Sequence, residues 1–159
     1  MIKELIINKK SAIINNWIQS IYETYPSETS NFLRDQKNRF SNPVGHAIAD
    51  CAEKILNQLI EDFDIQKIKV VLQDLIKIRA VQDFLPSQAV AFIFLLKNSI
   101  LSELKAEIKN EDIFREFLLI ASQIDITAMA AFDTYMEARE KLFQIRLNEI
   151  KSRSLNIIG

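Results

Sequence analysis

Residues 111–153 read EDIFREFLLIASQIDITAMAAFDTYMEAREKLFQIRLNEIKSR and contain neither glycine nor proline. Apolar side chains recur through them near the 3.6-residue period of an α-helix, which predicts one very long C-terminal helix. At the standard rise this helix would measure about 64 Å, whereas a globule of 159 residues is roughly 39 Å across. The helix therefore either breaks, near Ser122–Thr127, or projects from the body with its last turns uncovered.

Residues 139–155 are the part of this helix that we expect to project. Cations outnumber anions between Arg139 and Arg153, and apolar residues are interspersed with them, so the segment is a basic amphipathic helix. Such a helix pairs with a second copy or a signalling partner, packs on its own domain, or contacts a membrane or nucleic acid. We favour the first reading, with the contact carried by Arg139, Leu142, Phe143, Arg146, Leu147 and Ile150.

The rest of the sequence predicts a bundle. With only two glycines and three prolines, few positions can supply the turns that β-hairpins need. Asn42 followed by Pro43 is a strong helix start, and Asp64 can cap another. The predicted helices are Ile2–Tyr25, Ser27–Leu33, Pro43–Asp62, 65–83 and Pro86–Leu104, with a loop at Arg34–Ser41 and a break at 105–110 before the last helix. The fold class is all-α, a single domain of five to six helices spanning residues 1–159.

Composition limits the possible partners and the compartment. The chain is 48% hydrophobic and 26% charged, with a formal net charge of -1, so it has no general attraction to nucleic acid. Its longest unbroken apolar run, Ala89–Leu96, is far shorter than the roughly 20 residues of a membrane span. Charges interrupt Met1–Lys10, where a signal peptide would need a continuous apolar core. We expect a cytoplasmic protein without a membrane span, in which the single Cys51 forms no internal disulfide.

Few side chains suggest chemistry. The chain has one histidine, His46, which excludes a multi-histidine zinc site and a di-iron bundle. His46 lies in the first turn of a predicted helix, where it could hydrogen-bond near the helix start, ligate haem axially, or sense a ligand or pH. Phosphate-binding, dinucleotide-binding and nucleophile motifs are all missing. We therefore predict no enzyme, no catalytic residues, no metal site and no resident cofactor, with a haem or other small-ligand sensor using His46 and the aromatic core as the alternative.

Arg79 lies on or beside the apolar stripe of its predicted helix, so its guanidinium needs a partner. Asp125 and Asp133 fall within the stripe of the last helix. We predict an ion pair between Arg79 and one of these carboxylates, with an anionic ligand as the alternative. Gly45 inside a helix costs roughly 1 kcal/mol relative to alanine, which indicates the close approach of another backbone or of a ligand. Aromatic residues recur at helical spacing, which is typical of a core and less often of an apolar ligand site.

Several short blocks of this sequence occur together in one known family. They are Trp17 with Glu23-Thr24-Tyr25-Pro26, residues 40–46 (FSNPVGH), residues 78–84 (IRAVQDF), residues 86–90 (PSQAV) and the helix from Ala131 to Lys141. Through these blocks the chain resembles the RsbRD N-terminal domain family over nearly its whole length. None of the blocks is a catalytic signature.

The resemblance implies a role in signalling. Members of that family resemble the sensory input modules of RsbT co-antagonists in bacterial stressosomes, which look like dimeric, globin-related helical domains without haem, joined by a C-terminal helix to a STAS output domain. This sequence ends at Gly159 without such an output domain, so we expect a sensor or adaptor that acts alone. The predicted function is a non-enzymatic regulatory or sensory module that forms a homodimer and contacts a regulatory protein through its C-terminal helix.

Overall fold

The computed structural model describes residues 1–34 and 41–158. Its helices are α1 (Ile2–Asn8), α2 (Lys10–Tyr22), α3 (Ser27–Arg34), α4 (Pro43–Ile60), α5 (Ile65–Val81), α6 (Pro86–Glu103) and α7 (Glu111–Ile158), with a 3₁₀ turn at Glu107–Lys109. The described residues contain no strand, so the all-α bundle with a long C-terminal helix is confirmed. Residues 35–40 of the predicted loop lie outside the described residues.

The helix starts predicted from local capping signals are confirmed. The Asn42 side chain accepts a hydrogen bond from the Gly45 backbone N–H at 3.0 Å, and Pro43 occupies the first turn of α4. The Asp64 side chain accepts from the Gln66 N–H at 2.9 Å and caps α5. These starts could be predicted because the groups that satisfy the free N–H groups of a first turn lie within a few residues in sequence.

The first predicted helix, Ile2–Tyr25, is divided in the structure. Its backbone leaves the helical conformation at Lys9, with φ −109° and ψ 17°, and α2 ends at Tyr22. The Lys9 ammonium donates to the Glu103 carbonyl at 2.7 Å and to the Glu107 carboxylate at 3.0 Å. The bend therefore anchors this point of the chain to the C-terminal end of α6 while α1 and α2 each bury an apolar face.

Helix α5 ends in a Schellman motif at Val81 rather than near Asp83. The Phe84 N–H donates to the Arg79 carbonyl and the Asp83 N–H donates to the Ala80 carbonyl, both at 3.2 Å. Asp83 has φ 57°, the left-handed conformation that this motif requires and that glycine or asparagine usually supplies. The turn fixes the direction in which the chain enters α6.

The core lies among α2, α4, α5, α6 and α7, each of which buries apolar side chains in it. Helix α6 contacts both α2 and α7, as well as α5. Trp17 is fully buried; its indole N–H donates to the Phe92 carbonyl at 2.7 Å, and the two rings stack 6.4 Å apart. A Cβ added to Gly45 would lie 2.7 Å from the Leu33 carbonyl oxygen, so the close backbone approach that Gly45 indicated is between α3 and α4.

Helix α7 is continuous over 48 residues, so the break considered near Ser122–Thr127 does not occur. Among the described residues it is also the one helix long and apolar enough to cross a membrane: its most apolar window has a mean hydropathy of 1.3 and is 39% buried. A long core helix of a soluble bundle meets the same criterion, and this part of α7 packs against α5 and α6. The absence of a membrane span stays a prediction.

Candidate functional site

Helix α7 carries a line of exposed apolar side chains along one face, which we call the exposed stripe. At about 100° per residue, its members lie within roughly 40° of Phe143 around the helix axis. Phe143 is 59% exposed and Ile150 is 60% exposed. The exposed members are Phe114, Leu118, Met129, Phe132, Met136, Phe143, Ile150 and Ile157. The half-buried Leu147 lies on the same face between Phe143 and Ile150. Five of them, Met129, Met136, Phe143, Ile150 and Ile157, are spaced seven residues apart.

The buried face of α7 is a different one. It is centred about 100° from the stripe and includes Ile113, Phe117, Ile120, Ile124, Ala128, Ala131 and Tyr135. Tyr135 is the last buried residue in the described part of α7. Leu142 and Ile145 continue the line of the buried face beyond Tyr135. Leu142 is half-buried against the core, whereas Ile145 is 54% exposed. Residues from Arg139 onward therefore present mostly exposed surface.

Between residues 133 and 146, charged side chains border the exposed stripe with opposite signs on its two edges. Arg139 and Arg146 lie on one edge, whereas Asp133 and Glu140 lie on the other, as their positions around the helix require. Arg146, Asp133 and Glu140 are exposed. Arg139 is not free: it donates to the Ala80 carbonyl at 2.9 Å and pairs with the Asp83 carboxylate. It joins α7 to the C-terminal end of α5, where unpaired carbonyl groups accept hydrogen bonds from cations.

The predicted pairing of Arg79 with an α7 carboxylate is wrong. Asp125 pairs with Lys97 of α6, and Asp133 is exposed. Arg79 is only 2% exposed and faces the first turn of α6 and Tyr25, in the turn after α2. The sequence placed all three side chains on apolar stripes but could not show that these stripes face different neighbours.

Protein oxygens and aromatic rings surround Arg79 instead. Its Nη1 donates to the carbonyls of Gln88 and Ala89 at 3.0 and 3.1 Å, and its Nη2 donates to the Tyr25 hydroxyl at 3.1 Å. The guanidinium carbon lies 4.7 Å from the centre of the Phe92 ring and 5.0 Å from that of Phe84. Burial lowers the pKa of Arg79 from its ordinary value, and Tyr25 opposes this. No carboxylate of the described residues pairs with this guanidinium.

His46 lies elsewhere, in a cleft of about 730 Å³ between α4 and α5. The described residues that line it are Pro43, His46, Ala47, Asp50, Cys51, Lys54, Val71, Asp74 and Leu75, and none of these is aromatic. Cys51 is buried there, and burial raises the pKa of its thiol to about 12. The structure does not bring His46 together with the aromatic core, as a sensor using both would need. The haem-sensor hypothesis stays a prediction.

The chain matches one protein family over most of its length. The matching model is described as the RsbT co-antagonist protein rsbRD N-terminal domain, and it covers residues 11–150. The chain belongs to this family. Membership confirms the resemblance seen in the sequence and identifies a regulatory domain of signalling proteins, from a family not known for enzymes. The matched region includes the bundle and most of α7.

No curated protein and no solved structure shows a significant match to this chain. The globin-like topology that the resemblance implies therefore stays a prediction.

Two features of the site were not predicted from the sequence. One is the seven-residue spacing from Met129 to Ile157, which is visible in the sequence once the exposed and buried faces of α7 are separated. The other is the Arg139 clamp, by which we mean the contacts of Arg139 with the Ala80 carbonyl and the Asp83 carboxylate. The sequence carries no signal for it, because a left-handed conformation at Asp83 is uncommon.

Proposed function

We propose that the chain is a non-enzymatic, cytoplasmic sensory or regulatory input module of stressosome-type signalling that works as a homodimer paired along the exposed stripe of α7. The observation that carries the proposal is the stripe itself. Monomeric soluble proteins rarely expose large contiguous apolar patches. Asp125, which pairs with Lys97, interrupts the stripe between Leu118 and Met129, but from Met129 to Ile157 the stripe runs for about 42 Å at the standard rise. Family membership supports the regulatory role.

A second copy of α7 suits the stripe better than an unrelated surface does. Helices that pair along a shared seam carry apolar residues at two positions of each heptad. In α7 one position is apolar from Met129 to Ile157, and Phe132 and Leu147 add apolar side chains three or four residues after it. Met129, Met136, Phe143 and Ile150 repeat this spacing without a glycine or proline between them, so two copies can pack side by side over several turns. A two-fold pair of this kind uses the same patch on both partners, which is the commonest arrangement among homo-oligomers.

The charges beside the stripe favour parallel pairing. When two identical helices pair in parallel about a two-fold axis, each edge of one faces the opposite edge of the other. In α7 this places the basic edge with Arg146 against the acidic edge with Glu140 of the second copy. Antiparallel pairing would place like-charged edges together. Exposed ion pairs contribute only about 0–1 kcal/mol each, so they select the orientation while the apolar stripe supplies the affinity.

In a parallel dimer both copies of residues 150–158 emerge at the same end. The paired C-terminal turns would then form a surface that a regulatory protein can contact. Arg139 and Tyr135 of α7 hold the turn between α5 and α6 through Asp83 and the Phe84 carbonyl, so a change in the bundle can reach the paired helix. This connection is our proposed output route.

Size-exclusion chromatography with light scattering tests the proposal. We expect a mass of twice the 18.4 kDa chain and a shift to the monomer in Phe143→Asp. Ile145→Asp is the matched control: Ile145 is similarly exposed but lies about 160° away around α7, so this variant should stay dimeric. A monomeric wild type, or equal behaviour of the two variants, would contradict pairing along the stripe, as would a monomer that binds lipid vesicles through Phe143.

A further inference from the structure

Beside Arg79 lies a second cleft, of about 600 Å³, that the pairing of α7 does not involve. Its lining combines rings and small side chains with a few polar groups: Thr24, Tyr25, Pro26, Thr29, Arg79, Gln82, Phe84, Gln88, Ala91 and Phe92. The cleft is formed by the turn between α2 and α3, the start of α3, the end of α5 with the turn that follows it, and the first turns of α6. Mostly apolar clefts of this size with a few converging polar groups are typical small-molecule sites.

Arg79 gives this cleft an uncompensated positive charge. A guanidinium that is 2% exposed keeps its charge in proteins, and a buried charge without a partner of opposite sign is costly. The neutral acceptors around Arg79 occupy Nη1 and part of Nη2, but Nε is buried and has no hydrogen-bond partner. The described residues offer no carboxylate to this group, so an anion entering the cleft would supply the missing charge.

We propose that this cleft binds a small aromatic monocarboxylate, with its carboxylate beside Arg79 and its ring among Tyr25, Phe84 and Phe92. A carboxylate matches the planar donor arrangement of a guanidinium. A flat ring matches aromatic walls, since offset and edge-to-face ring contacts are favourable. A multiply charged phosphate suits this lining less, because Arg79 is the one cation among the described residues that line the cleft.

The wall of the cleft connects to α7. Phe84 lines the cleft, and its carbonyl accepts a hydrogen bond from the Tyr135 hydroxyl. Gln82, another lining residue, directly precedes Asp83, which pairs with Arg139. A ligand that moves the turn at residues 82–85 would therefore act on two side chains of α7. As a signal-receiving site the cleft rests on the sensory function proposed above, whereas binding itself does not depend on dimerisation.

Titration with para-fluorobenzoate, followed by fluorine NMR, tests the site in the full chain. We expect saturable binding of the benzoate and no saturable binding of para-fluorobenzamide, which has the same shape without the charge. Arg79→Met should weaken binding roughly tenfold or more, since hydrogen bonds to a charged group are lost. Ala91→Leu, on an exposed position of the lining, should weaken it comparably by filling the cleft, and it remains informative if Arg79→Met fails to fold.

Ala12→Leu is the matched control, because Ala12 is an exposed helical alanine outside the lining of this cleft; its affinity should equal that of the wild type. Absent or non-saturable binding, equal binding of the benzamide, or full affinity in Ala91→Leu would overturn the proposal. Light scattering on the same samples separates the two proposals. A dimer that ignores benzoate overturns the cleft alone, whereas a monomer that binds it overturns the pairing alone.

Discussion

Replacing Arg139 with methionine tests the clamp that joins α7 to the end of α5. The guanidinium donates to the Ala80 carbonyl at 2.9 Å and pairs with Asp83; the Arg139 side chain is 33% exposed and that of Asp83 is 63% exposed. Hydrogen bonds to charged groups contribute about 1.5–3 kcal/mol, whereas exposed ion pairs contribute about 0–1 kcal/mol. Because the clamp is partly solvated, we expect Arg139→Met to lower the free energy of unfolding by about 1–2 kcal/mol.

Urea denaturation followed by far-ultraviolet circular dichroism measures this loss. The protein concentration is held fixed, since dimerisation makes stability depend on concentration. The melting temperature should fall by about 2–8 °C. Lys141→Met is the matched control: Lys141 is an exposed cation two residues further along α7, it lies about 160° from Phe143 around the helix, and its replacement is expected to change stability by no more than about 0.5 kcal/mol.

A second substitution assigns the loss to the pair. Asp83 has φ 57°, a conformation that costs a non-glycine residue about 1–2 kcal/mol. Asp83→Gly removes this cost together with the ion pair, so its own effect should be small. Arg139→Met should then cost less in the Asp83→Gly background than in the wild type. Equal costs in both backgrounds, an unchanged urea midpoint in Arg139→Met, or an equal loss in Lys141→Met would refute the clamp.

Two further predictions concern α4. Gly45→Ala should destabilise the protein by about 1–3 kcal/mol, because the new Cβ would lie 2.5 Å from the Asn42 side-chain nitrogen and 2.7 Å from the Leu33 carbonyl oxygen. In an uncrowded helix interior the same change stabilises by about 1 kcal/mol. A higher urea midpoint in Gly45→Ala would contradict the prediction. The Cys51 thiol, whose pKa burial raises from 9.0 to about 12, should resist a thiol reagent until the protein unfolds, and rapid labelling of the native protein would contradict its burial. Because the unfolded thiol ionises first, stability should also fall as the pH rises from 9.0 towards 12.

The parts of the fold that sequence predicts well are those decided by near neighbours in the chain. Asn42 with Pro43, and Asp64, start helices because their caps act within three residues. The bend at Lys9 was not predictable in this way, because it depends on acceptors at Glu103 and Glu107 that are remote in sequence. The end of α5 was not predictable from near neighbours either, because Asp83 adopts the left-handed conformation that glycine or asparagine usually supplies.

The site was predictable in its location but not in its geometry. The spacing of apolar residues predicted a C-terminal helix of this length, but it left open whether the helix breaks near Ser122–Thr127 or projects with its last turns exposed. Periodicity could not separate the buried face with Tyr135 from the exposed stripe with Met136, because both are apolar and only the positions of α5 and α6 distinguish them. For Arg79 the general rule that buried charges are paired predicted a carboxylate, whereas the structure supplies carbonyls, a hydroxyl and rings.

Disulfide trapping between copies tests the parallel pairing of α7 most directly. In a Cys51→Ala background, Phe143→Cys places one thiol in the exposed stripe and Ile145→Cys places one on the opposite side of the same turn. The account predicts a disulfide-linked dimer on mild oxidation of the Phe143→Cys protein, because equivalent positions meet across a parallel two-fold seam, and little of it with Ile145→Cys. Equal cross-linking of the two variants, or none with Phe143→Cys, would contradict it.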